Sequence, residues 1–337
     1  MGTLVDRLEQ INFAKEIFSR SKKESARVLE FDTEDIRGHT YPSVFLILAY
    51  SDAGILNQIF INQGKSGADE NAHTQCLARL TSICLQHGVP PQAFIKTLRG
   101  IDANVKPYEI TESGKTTYHS IEDLLAHKMM ECVLQRQEPL DPAELTNGVY
   151  SRKVLDVPDE GDAQYKKLRF GSAEAPPLYI TFTQNDAGLL NQVFLARGKS
   201  GADESAHAES LAKLISISLQ YGLHPFRVAK SLIGMKSSLT SIADQSIYQS
   251  MEDAVGRLII KWYVDRGVNL EESYARVFAP KPSLKKINLD LLDNGNIDTD
   301  KDPCPSCMDL HYQKLEKPGT RGCFTYSCCG YEAGACS

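Results

Sequence analysis

The apolar and polar positions of this chain describe one arrangement twice. Residues 44–50 and 179–183 are β-rich runs. The turn-forming stretches Ser51-Asp52-Ala53-Gly54 and Asn185-Asp186-Ala187-Gly188 follow them, and residues 55–61 and 189–195 return as strands, so each copy predicts a hairpin. A helix comes next. Ala72, Cys76, Leu77, Leu80, Ile83 and Cys84 recur at helical spacing, as do Ala206, Leu211, Leu214, Ile215 and Ser218 in the second copy. Gly88 and Gly222 stop these helices, and Pro91 and Pro225 open shorter ones that end at Gly100 and Gly234. A last helix starts at Ser120-Ile121-Glu122-Asp123 and at Ser250-Met251-Glu252-Asp253, where Ser is the N-cap and Asp its partner. Ser66 with Asp69, and Ser200 with Asp203, fit the same capping pattern. Residues 101–119 read as a variable loop.

The two copies are related by descent. Residues 52–100 and 186–234 align without a gap at an offset of 134, with 28 of 49 positions identical. Two copies are too few for a solenoid and predict a pseudo-symmetric pair. The predicted class is α+β: two repeated hairpin-plus-helices modules and a C-terminal zinc-ribbon-like tail. Residues 1–26 read as an amphipathic helix, 27–135 and 153–267 as the modules, 136–152 as a linker, 268–303 as a flexible acidic linker, and 304–337 as the tail.

Composition narrows the function classes. A net charge of −6 and a pI near 5.8 argue against broad attraction to nucleic acid. No apolar run approaches the length needed to span a bilayer, and the first residues lack a signal-peptide core. Of nine cysteines, six fall in the last 34 residues. Such clustering in a chain this long favours metal or redox chemistry in a reducing, cytoplasmic compartment.

The tail carries the most specific chemistry. Cys304 and Cys307 in a C-x2-C pair, with Cys323, Cys328 and Cys329 downstream, can place four thiolates around Zn²⁺. The favoured set is Cys304, Cys307, Cys329 and one of Cys323 or Cys328. The loops Lys65-Ser66-Gly67 and Lys199-Ser200-Gly201 precede helix N-termini and invite a phosphate or nucleotide reading. Against it, the Walker A glycine is replaced by Ile59 and Val193, and Asp69 and Glu70 compete for the same N–H groups. The alternative is a tight turn whose glycines adopt positive φ and whose Ser caps the helix. His73 and His207 follow Asp69 and Asp203 by one turn, a spacing that suits a metal, a base or an inter-module hydrogen bond. Cys76 and Cys84 become Ser210 and Ser218 in the other copy and read as core fillers. No residue is assigned a catalytic role.

The order strand, turn, strand, Gly-Lys-x-Gly, Leu-x-x-Leu-x-Ser helix, Gly-Val-Pro, Gly-Ile stop and Ser-x-x-Asp helix resembles the TSCPD domain found near the C-terminus of adenosylcobalamin-dependent (class II) ribonucleotide reductases. The tail resembles those enzymes too, through Cys304-Pro305-Ser306-Cys307, Gly322-Cys323, Cys329-Gly330-Tyr331 and Cys336. Both copies depart from the Ser-Cys-Pro-Asp signature, with Ile121 and Met251 at the Cys position and Glu122 and Glu252 at the Pro position. The resemblance implies a C-terminal cysteine pair, here Cys328 and Cys336, that carries electrons by disulfide exchange. The reductase barrel has no counterpart in these 337 residues, so cobalamin is not expected on this chain, nor turnover by it alone.

Three functions compete. The first is an accessory chain for ribonucleotide reduction, supporting deoxyribonucleotide synthesis with a reductase catalytic chain as partner. The second is a non-catalytic module whose repeats form a groove for a nucleotide, a small ligand or a protein. The third, weaker one is nucleic-acid binding through the ribbon, using Lys314, Lys317 and Arg321 with Tyr312, Phe324, Tyr326 and Tyr331.

Overall fold

Alternation along the strands builds both modules. In the computed structural model, which describes residues 25–51, 55–134, 155, 157, 163–243, 246–270, 272–273 and three short strands of the tail, Val44, Leu46 and Leu48 point inward. Phe45 and Phe60 point out, because successive side chains leave a strand on opposite faces. The first module runs β1 (Ser25–Glu34), β2 (Thr40–Tyr50), β3 (Leu56–Gln63), α1 (Asp69–Gln86), α2 (Pro91–Leu98), β4 (Lys106–Thr111), β5 (Gly114–Thr117) and α3 (Ile121–Leu134). Its five antiparallel strands lie in the order β3-β2-β1-β4-β5. The second runs β6 (Ala163–Arg169), β7 (Pro177–Gln184), β8 (Leu190–Ala196), α4 (Asp203–Gln220), α5 (Pro225–Leu232), β9 (Ser241–Ala243), β10 (Ser246–Tyr248) and α6 (Met251–Arg266). Here β6-β7-β8 form one sheet, and β9-β10 remain a separate hairpin.

The predicted hairpins and helices are present, and the class is α+β. Gly88 and Gly222 lie just beyond α1 and α4 with φ of 77° and 82°, the left-handed conformation that glycine adopts without strain. Ser120 and Ser250 cap α3 and α6 as expected, each hydroxyl accepting from the backbone N–H of Asp123 or Asp253 at 3.1 Å. The carboxylates return the bond one residue further out than in a standard capping box. Asp123 accepts from His119 N, and Asp253 from Gln249 N. Each also accepts the N–H of the glycine that stops the preceding helix, Gly100 or Gly234, at 2.8 Å. One buried carboxylate thus ties the end of one helix to the start of the next. Cys76 and Cys84 are buried core fillers.

Three expectations are corrected. The stretch 101–119 is not simply a loop, since it forms β4 and β5, which join the sheet through β1. Ser66 and Ser200 do not cap α1 and α4. The N-caps are Ala68 and Ala202, two residues beyond the serines and with no side-chain cap, while Asp69 and Asp203 bond to the other module. Strand β1 already begins at Ser25, inside the stretch read as an N-terminal helix. The rest of that helix and the 136–152 linker lie outside the described residues.

Residues 274–337 form a separate unit. Its described part is an antiparallel sheet of β11 (Lys314–Glu316), β12 (Cys323–Tyr326) and β13 (Glu332–Gly334). Cys304, Cys307, Cys328, Cys329 and Cys336 lie outside the described residues. Among the described residues, no helix is long and apolar enough to cross a membrane.

Candidate functional site: a carboxylate-lined cavity between the modules

The modules meet through residues that touch their own counterparts. The His73 and His207 rings stack with centroids 3.6 Å apart, and Cys84 Sγ lies 3.0 Å from Ser218 Oγ. Both pairs are separated by the repeat offset of 134. Eleven residues separate His73 from Cys84, about three helical turns, so both lie on one face of α1. Because counterparts meet near both ends, α1 and α4 run side by side in the same direction. Self-contact of equivalent positions marks an isologous, two-fold interface, here within one chain.

The first-turn acids lock this interface reciprocally. Asp69 Oδ1 accepts from Ser238 N and Oγ, both at 2.9 Å. Asp203 Oδ1 accepts from Val105 N at 3.0 Å. Each α1 or α4 acid therefore receives N–H groups from the opposite module's post-helix loop and leaves its own helix uncapped. Burial raises the Asp203 carboxyl above its ordinary range, although the Val105 and Asn104 N–H groups pull the other way.

Beneath that lock lies a cavity of about 200 Å³. Its walls come in matched pairs: Asp69 with Asp203, Glu70 with Glu204, Glu122 with Glu252, Val105 with Leu239, and Ile121 with Met251. Gln63 of the first copy is matched by Arg197 of the second. The first turns of α1, α3, α4 and α6 all contribute, so four helix N-termini converge on one space. Arg197 is 9% exposed, lies 5.6 Å from the Phe170 ring centroid, and leaves its Nε without a hydrogen-bond partner.

The floor breaks the symmetry. His73 Nε2 is 2.7 Å from Glu122 Oε1, both groups being buried. Burial opposes ionisation of Glu122, but His73, through charge and hydrogen bond, outweighs it and holds the carboxyl well below the usual range. No such bond joins His207 to Glu252 among the described residues. His207 is pushed down to about 3, by burial first and then by His73 and Arg197, with Glu122 acting against them. Glu252 is 3% exposed, and its charge reaches Cys76, whose thiol is raised by burial and then by that carboxylate.

His73, Glu122 and His207 bring three ligand atoms within 4.8 Å of one another, the composition of a metal centre. The ring geometry points elsewhere. Imidazole lone pairs lie in the ring plane, and these planes are 12° apart and stacked. A metal shared by both rings would sit about half the 3.6 Å stacking distance out of each plane. As placed, the trio is a buried His–Glu hydrogen bond with a second imidazole stacked on it.

A family profile described as the TSCPD domain matches residues 20–132 and 150–263, about two thirds of the chain. The chain belongs to the TSCPD domain family. Comparison with curated proteins and with solved structures finds no match. In both TSCPD modules, the positions where the resembled signature carries Cys and Pro are cavity walls, occupied here by Ile121 or Met251 and by Glu122 or Glu252.

The structure sorts the residues singled out from the sequence. His73 and His207 come together on the axis. Lys65, Ser66 and Gly67 are exposed, with Gly64 and Gly67 at φ of 69° and 86°, as a tight turn requires. Lys199 is exposed, while Ser200 and Gly201 line a separate cavity of about 360 Å³ with Asp102 and Lys213. None of these loop residues lines the inter-module cavity. Sequence reasoning missed Glu122, Glu252 and Arg197 as site residues. The available signal was a carboxylate repeated at a position where the resembled motif has proline.

Proposed function

We propose that this tandem TSCPD chain is an accessory component of adenosylcobalamin-dependent ribonucleotide reduction, acting with a separate chain that supplies the catalytic barrel. One observation carries the reading: two TSCPD modules followed by a cysteine-rich tail, in the order seen in those enzymes. Within the modules, the buried groups join one module to the other, as suits a docking scaffold better than a reaction centre. His73 stacks on His207, and Asp69 and Asp203 hold the opposite module's backbone.

The tail is assigned two tasks. Four of Cys304, Cys307, Cys323, Cys328 and Cys329 would hold Zn²⁺, which supplies folding energy to a ribbon that is too small to have a large apolar core. The three antiparallel strands are a fitting frame, with Cys323 opening the middle strand. Cys328 and Cys336 would exchange disulfides with the partner, accepting electrons from a thioredoxin-type reductant.

The test is co-purification with a class II reductase large chain, followed by thioredoxin-driven turnover. Binding and a gain in turnover are expected. Changing Cys328 and Cys336 to Ser should abolish the gain while leaving binding intact. Unchanged turnover in that variant would end the redox assignment, and failure to bind any such chain would end the accessory one. Metal analysis should find one zinc per chain, lost when Cys304 and Cys307 become Ser.

A further inference from the structure

Two pseudo-equivalent carboxylates in the inter-module cavity have different fates. Glu122 is matched by His73 at 2.7 Å. Glu252, its counterpart, is 3% exposed, and no hydrogen bond or ion pair reaches its carboxylate among the described residues. Its oxygens are not among the fully enclosed unpartnered atoms, so they open onto the cavity, where a molecule from outside the chain can meet them. Arg197 repeats the message with the opposite sign, for it is nine-tenths buried, lines the same cavity and has an unpartnered Nε.

The sign of the field decides what enters. Four converging helix N-termini favour anions, each end being worth about half a positive charge. Arg197 adds one more. Six carboxylates line the space: Asp69, Glu70, Glu122, Asp203, Glu204 and Glu252. With the His73 that pairs with Glu122 counted as well, they outweigh the positive contributions by roughly two charges. A phosphate, the usual guest of helix N-termini, is therefore repelled, and a cation is attracted.

The walls decide which cation. About 200 Å³ is far more than one bare ion needs, and Val105, Leu239, Ile121, Met251 and Phe170 offer it no ligands. The stacked imidazoles do not converge on one point. A short carbon body with a charged nitrogen uses all of these features, since the apolar walls bury the carbons while the carboxylate takes the ammonium.

We propose that the inter-module cavity binds a small organic amine, its ammonium group on Glu252 and an oxygen acceptor of the same molecule on Arg197. This site is independent of the accessory role and would survive the failure of that role.

Calorimetry and thermal-shift titration of the full chain with putrescine, ethanolamine and γ-aminobutyrate, beside Mg²⁺, Zn²⁺ and inorganic phosphate, test it. At least one amine should bind saturably and raise Tm, with γ-aminobutyrate favoured over putrescine because it alone offers Arg197 a carboxylate. Glu252→Gln should weaken that binding about tenfold or more. Arg197→Met should erase the preference for γ-aminobutyrate. Without ligand, Glu252→Gln should melt no lower than the parent chain, since it removes an uncompensated charge. A lower Tm for that variant would make Glu252 a structural residue and overturn the proposal. Absence of response to every amine, or saturable binding of phosphate or a metal ion in their place, would overturn it equally.

Discussion

The two modules share a scaffold and differ where they face the cavity. The first extends its sheet to five strands and pairs its buried Glu122 with His73. The second keeps three strands, leaves β9-β10 as a detached hairpin, and leaves Glu252 without a side-chain partner among the described residues. The capping networks, by contrast, are nearly superimposable: Ser120 with Asp123 and Gly100, Ser250 with Asp253 and Gly234. Duplication has thus preserved the groups that hold each module's helices and diversified those at the shared cavity. Few residues can satisfy the N–H groups of a buried cap, whereas a cavity wall can change whenever its contents change.

The largest effects should come from the preserved part. Asp123→Ala removes a buried carboxylate that accepts from Gly100 N and His119 N, and Asp253→Ala one that accepts from Gly234 N, Gln249 N and Arg257 Nε; each should cost about 3–5 kcal/mol in denaturant unfolding. Equal losses would establish the equivalence of the two networks. A loss at one site only would break it.

A reciprocal exchange probes the helix pairs. Ala126 in α3 corresponds to Gly256 in α6, where an added Cβ would meet the Ala229 carbonyl oxygen at 2.8 Å and Leu232 Cβ at 3.0 Å. Gly256→Ala should lose about 1–3 kcal/mol by overpacking, less the ~1 kcal/mol by which Ala exceeds Gly in helix propensity. Ala126→Gly should lose about 1 kcal/mol. If Gly256→Ala proves stabilising, the α5–α6 packing is not as close as described.

Acid titration tests the asymmetric floor. His207 is pushed down to about 3 and His224 to about 4, burial being the leading cause for both. An unfolded histidine takes its proton near pH 6.5, so between that pH and about 4 the unfolded chain binds protons that the native one refuses. Stability should therefore be full above pH 6.5 and fall as pH drops, by at most about 1.4 kcal/mol per pH unit for each group. His207→Gln should flatten the slope. An unchanged slope would mean that His207 is not held neutral on the axis.

The smallest expected effect is loss of the cap hydroxyls. Ser120→Ala and Ser250→Ala should each cost about 1 kcal/mol, read from the shift in midpoint at constant denaturant dependence. The same change at Ser66 or Ser200 should cost less, because neither caps a helix.

What could be read along the chain is what neighbouring residues decide. Turn glycines, the Ser–Asp caps, the prolines that open α2 and α5, and the inward alternation of β2, β3, β7 and β8 act within a few residues of themselves, so the repeat and the α+β class were legible. Strands β1 and β6 were not. Phe31 and Thr33 are the fully buried positions of β1, and Leu168 that of β6, too few for a period of two to register. They are strands because β2 and β7 offer them backbone partners. Asp69 and Asp203 look like cap partners in sequence and become inter-module locks only when a loop from the other module arrives. The site followed the same rule. His73 was visible as a residue, but its contact with His207, the lone carboxylate of Glu252 and the sign of the cavity's field depend on groups far apart in the chain. Electrostatic and packing energies are set by distance in space, and only the tertiary structure supplied those distances.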